Sequence, residues 1–110
     1  MIDTILNTAV INDINKKEDV LIALSNFDNE DFNGNNGEEY TSEDAIKNGF
    51  ESTKDYILNK LQKSNLDAEE IIEDYLEELY GNDSYYYYYD YVLTQINNTN
   101  TYVLSVLAVI

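Results

Sequence analysis

Between Leu66 and Ile96 the apolar residues change period, and that change restricts the folds open to this chain more than any other feature. From Asp67 to Tyr80, Ile71, Ile72, Tyr75, Leu76 and Leu79 recur at helical spacing. Asp67 with Glu70 three residues on is a capping-box pair, Leu66 and Ile71 occupy the positions of a hydrophobic staple, and Gly81 stands where a left-handed C-terminal residue belongs. The segment "SYYYYYDYVLTQI" then alternates. Tyr85, Tyr87, Tyr89 and Tyr91 fall on one face of a strand, and Tyr86, Tyr88, Asp90 and Val92 on the other. "NNTN", Asn97 to Asn100, breaks the run, and "TYVLSVLAVI" follows, apolar apart from Ser105, as suits a final strand covered on both sides.

The remaining segments are read in the same way. Ile2, Ile5, Leu6, Ala9 and Val10 recur at helical spacing, which places a helix from about Asp3 to Asp13. "VLIALSNF", Val20 to Phe27, is a short apolar run assigned to a strand, and Asp28 to Tyr40 is a loop with two glycines and five acids. A second helical stripe runs from Ser42 to about Lys63, with Gly49 marking a bend or a break. The expected fold is one α+β domain over residues 1–110: about three helices on a small antiparallel sheet with a C-terminal β-hairpin.

Chemistry narrows the function further. The chain has no His, Cys, Trp or Pro, and all six basic residues are Lys. Imidazole catalysis, thiol chemistry, Cys or His metal sites and guanidinium clamps are thereby removed. No phosphate-binding Gly loop or nucleophile elbow is present, so neither a catalytic residue nor a cofactor is assigned, and the chain is read as a non-enzyme. The opening residues lack a basic leader region and no apolar run is long enough to span a bilayer, which suggests a cytoplasmic protein, in the host cell if phage-encoded.

Twenty-two acids against six bases give a net charge of −16, which repels nucleic acid and anionic membranes and attracts basic protein. The acids acquire geometry on the helix from Asp67 to Tyr80. Seven of them between Asp67 and Glu78 occupy about 16 Å of axis, or roughly one charge per 2.4 Å, against about 1.7 Å for a DNA duplex and about 3.4 Å for a single strand. No cation follows Lys63 to interleave with them.

The expected partner-binding residues are Glu69, Glu70, Glu73, Asp74, Glu77, Glu78, Asp83, Tyr86, Tyr88 and Asp90, the tyrosines forming a strip that meets Lys or Arg. Asp28, Glu30, Asp31, Glu38 and Glu39 form a secondary acidic loop. The leading expectation is a nucleic-acid mimic of anti-CRISPR or anti-restriction type. It would occupy the basic groove of a Cas or restriction nuclease, or of another nucleic-acid enzyme. One alternative is an immunity protein or antitoxin blocking a cationic toxin. A second is a Ca²⁺ module on Asn29, Asp31, Asn33 and Glu39, although Tyr40 stands where an EF-hand loop needs Glu, and no metal site is assigned. An exposed sheet edge would allow a homodimer.

Overall fold

The computed structural model describes residues 3–27, 43–80 and 88–109. Among them are three strands, β1 (Asp3–Ile11), β2 (Tyr88–Gln95) and β3 (Tyr102–Val109). Four helices accompany them: α1 (Lys17–Leu24), α2 (Glu43–Lys47), α3 (Thr53–Lys63) and α4 (Ala68–Tyr80). The sheet is antiparallel in the order β1-β3-β2, so the fold is α+β with a C-terminal β2–β3 hairpin. The hairpin closes through Ile96 N–H donating to the Thr101 carbonyl at 2.9 Å, with Asn97 in the left-handed region at φ 52°.

Two assignments at the N-terminal end are overturned. Residues from Asp3 are strand, not helix, because β1 contains a bulge: its register against β3 shifts between Ile5 and Asn7. The extra residue, Leu6, changes the phase of the alternation, so that Asn7, Ala9 and Ile11 share one face while Ile5, Thr8 and Val10 share the other. A period of two broken once imitates a period of 3.6. Residues Val20 to Phe27 are not a strand either. Val20, Ala23, Leu24 and Phe27 are all buried at i, i+3, i+4 and i+7, and Ile22 is exposed, which is a helical stripe running into the turn after α1.

Gly49 breaks the helical segment instead of bending it. At φ +82° it takes the left-handed conformation, Phe50 N–H donates to the Ala45 carbonyl and Gly49 N–H to that of Ile46, and α2 ends in a Schellman motif. Ser52 then caps α3, its hydroxyl accepting from Asp55 N–H at 3.1 Å. Lys17, at the first turn of α1, donates to the Gln62 and Ser64 carbonyls at the end of α3, where the helix presents unpaired acceptors and partial negative charge. That bond sets the start of α1 beside the end of α3.

The core lies between one face of the sheet and the helices. Ile11, Leu104 and Val106 from the sheet meet Val20, Leu24 and Phe27 from the α1 region, Ile57 and Leu61 from α3, and Ile71, Ile72, Tyr75, Leu76 and Leu79 from α4. The Tyr75 hydroxyl, fully buried, donates to the Phe27 carbonyl at 2.6 Å. β3 was expected to be covered on both faces, but its second face is only half-buried; the apolar character of Val103 and Leu107 reflects a central position between two strands. The acidic loop Asp28 to Glu39, with the Ca²⁺ residues, lies outside the described residues, as do Gly81, Asp83 and Tyr85 to Tyr87. No helix among the described residues is long and apolar enough to cross a membrane.

Candidate functional site

Helix α4 begins as its sequence requires. Asp67 accepts from Glu70 N–H at 2.9 Å while the Glu70 carboxylate accepts from Asp67 N–H at 3.3 Å, a reciprocal capping box. Beyond it the helix divides into two sides: Ile71, Ile72, Tyr75, Leu76 and Leu79 are buried, and Glu69, Glu70, Glu73, Asp74, Glu77 and Glu78 are all exposed. The like-charge i,i+4 pairs 69/73, 70/74, 73/77 and 74/78 cost about 0.2–0.5 kcal/mol each, about 1–2 in all. Burying Ile71, Ile72, Leu76 and Leu79 contributes about 1.5–3 kcal/mol each. Burial therefore holds the acids together against their own repulsion.

Tyrosine fixes part of this array. Tyr89 and Tyr91 lie on the core-facing side of β2, in register with Ala108 and Val106. The Tyr91 hydroxyl donates to Glu73 Oε1 at 3.0 Å and the Tyr89 hydroxyl to Glu77 Oε2 at 2.5 Å. The spacings agree: two residues along a strand advance about 6.8 Å and four along a helix about 6.0 Å. Because the strand numbers rise as the helix numbers fall, β2 runs antiparallel to α4.

A lysine at either position would neutralise the carboxylate it held, whereas a phenol orients it and leaves its charge in place. Desolvation, then the hydrogen bond and charge of Glu73, push the Tyr91 hydroxyl up to about 12; desolvation and Glu77 raise that of Tyr89 further. Both therefore remain neutral donors at physiological pH.

Three of the six acids are thus held internally, Glu70 by the cap and Glu73 and Glu77 by tyrosine. The carboxylates of Glu69, Asp74 and Glu78 make no hydrogen bond or ion pair with described residues. Lys60 of α3 lines the same cleft as Asp74, Glu77 and Glu78 but stands over the Tyr56 ring, 5.1 Å from its centroid.

The expected site is brought together only in part. Asp90 is exposed on the opposite face of β2 from Tyr89 and Tyr91, its carboxylate accepting from Tyr91 N–H at 2.8 Å, and Tyr88 pairs with Val109 at the start of β2. The helix acids and Asp90 therefore lie on different sides of an edge strand. Asp83 and Tyr86 are outside the described residues. Tyr89 and Tyr91, on the other face of the predicted strand, were not among the expected site residues, and their carboxylate partners were missed. The matching 6.8 and 6.0 Å repeats were the available signal. Among the described residues no group of His, Cys, Asp and Glu is arranged to hold a metal ion. Comparisons with protein-family models, with curated proteins and with solved structures find no match.

Proposed function

We propose that this protein is an inhibitor that imitates nucleic acid, placing the exposed face of α4 in the basic groove of a nuclease or another enzyme that handles DNA or RNA. The observation that carries the reading is a row of six exposed carboxylates on one core-anchored helix, three of them oriented without loss of charge. A groove built for a polyanion is positive and open to solvent, so an acidic helix competes for it without copying any base. Preorganisation adds to this. A Glu already held by a phenol gives up less side-chain freedom on binding than one that must be ordered, a difference of about 0.5–1.5 kcal/mol per side chain.

The partner is a basic protein of anti-CRISPR or anti-restriction target type, a Cas or restriction nuclease being the kind of enzyme whose exposed strand-holding residues fit. The test is competition. Host nucleic-acid enzymes retained on the immobilised protein at low salt should be eluted by salt and by duplex DNA or RNA, and replacing Glu70, Glu73 and Glu77 by Gln should abolish inhibition with the fold intact. A bound enzyme that nucleic acid does not displace, or a triple variant that inhibits normally, would place the contact elsewhere.

A further inference from the structure

Acids outnumber lysines by 22 to six in this chain, so a lysine that lines a cleft beside three carboxylates and pairs with none of them requires a cause. Lys60 is that lysine. Among the described residues it is the one cation lining the cleft between α3 and α4, with Asp74, Glu77 and Glu78 on the α4 side and the buried Ile57 and Leu61 on the α3 side. The cleft holds about 260 Å³, a space that a four-carbon stem crosses. Yet the Lys60 ammonium makes no ion pair or hydrogen bond with a described residue, and lies over the Tyr56 ring.

The ring is placed there by features that begin in the sequence. Tyr56 and Lys60 stand four residues apart on α3 and so share a face one turn apart. Phe50 packs against Tyr56, with ring centroids 5.6 Å apart and planes tilted by 49°, and Phe50 is itself set by the turn at Gly49, where its N–H donates to the Ala45 carbonyl. Lys63 adds a constraint of sign. It lines an adjoining pocket with Tyr56 and Lys60, and no described acid lines that pocket. Tyr56 borders this pocket and not the acidic cleft, so Lys60 is drawn towards a like charge and away from three opposite ones.

We infer that Tyr56 is a positioning residue for the anionic face of α4: its ring holds the Lys60 ammonium off Asp74, Glu77 and Glu78, and the charge of that face is left uncancelled. The consequence for a partner rests on the mimicry proposed above; the placement of the cation does not. A cation over an exposed ring and an ion pair at a surface are of similar strength, so without the ring the ammonium passes to the carboxylates. One such pair cancels one of the six exposed charges and sets a cation in the surface that meets a basic groove.

Nuclear Overhauser spectra of the whole chain test the placement without any partner. In the parent, the ε-methylene protons of Lys60 should contact the Tyr56 ring and none of the Asp74, Glu77 and Glu78 side chains. Tyr56→Leu should bring up contacts to those acids, whereas Tyr56→Phe, which keeps the ring face, should match the parent. Inhibition reads the consequence. Tyr56→Leu should weaken binding to the inhibited nuclease about two- to fivefold with a shallower salt dependence, and adding Lys60→Gln should restore parental affinity. A merely structural loss at Tyr56 would not be repaired at Lys60. Acid contacts in the parent, their absence in Tyr56→Leu, or a loss of affinity that Lys60→Gln leaves standing would overturn the inference. A failure of the mimicry reads differently: the Overhauser pattern holds while charge variants of α4 inhibit normally, which upholds the placement and removes only its consequence.

Discussion

Removing two oxygen atoms, by Tyr89→Phe together with Tyr91→Phe, separates the placement of the carboxylates from their charge. Each hydroxyl donates to an ionised but solvent-exposed Glu, so each bond is worth about 0.5–1 kcal/mol, below the range for buried charged pairs. The double variant should lose about 1–2 kcal/mol, read as a fall in Tm of about 5–10 °C for a domain of this size. Linkage gives the pH signature. The folded hydroxyl of Tyr91 is pushed up to about 12 from an ordinary 10.0, and that of Tyr89 is also raised, so the folded state holds protons the unfolded chain has released. The stabilisation is complete below pH 10 and is lost as pH rises towards the folded values. The double variant should therefore lose stability less steeply above pH 10 than the parent. Net charge is untouched at neutral pH. Affinity for the inhibited enzyme should fall about tenfold through restored freedom of Glu73 and Glu77, with the salt dependence of binding unchanged. Parent-like stability and affinity, or a loss of affinity with a shallower salt slope, would refute the positioning role.

Other expectations concern the scaffold. Tyr75→Phe leaves the buried Phe27 carbonyl without its phenol donor and should cost about 1–3 kcal/mol, seen as a lower urea midpoint at constant slope. Lys17→Met keeps the aliphatic stem but removes the donor to the Gln62 and Ser64 carbonyls, for a loss of about 0.5–1 kcal/mol in the same assay. Gly49→Ala meets no neighbouring atom within 4 Å, so its whole cost is the left-handed backbone, about 1–2 kcal/mol; a neutral result would remove that conformation from the account.

The segments read correctly were those whose local signals agreed with their packing. α4 carried cap, staple and stripe together, and β2–β3 carried alternation with a turn between. The misread segments hid their period. Leu6 at the bulge made β1 resemble a helix, and in α1 the exposed Ile22 beside Leu21 made a helical stripe look like an unbroken apolar run. Gly49 was visible as an interruption, but the choice of break over bend came from the paired bonds of the Schellman turn. At the candidate site, residue spacing placed the acids on one side of α4. That the neighbouring phenols would reach Glu73 and Glu77 depended on β2 lying antiparallel beside α4, a tertiary relation that the matching repeats allowed but did not fix.

The most direct test of the mimicry uses the three acids whose carboxylates make no bond within the described residues. Glu69→Gln, Asp74→Asn and Glu78→Gln together remove three charges from the exposed face of α4 while leaving the capping box and both tyrosine contacts in place. With the inhibited nuclease in hand, the logarithm of its affinity for the protein should be followed against the logarithm of salt concentration. A loss of inhibition with a shallower slope and an unchanged melting curve is the expected result. Full inhibition with the parental slope would mean that the enzyme does not read this helix as a polyanion.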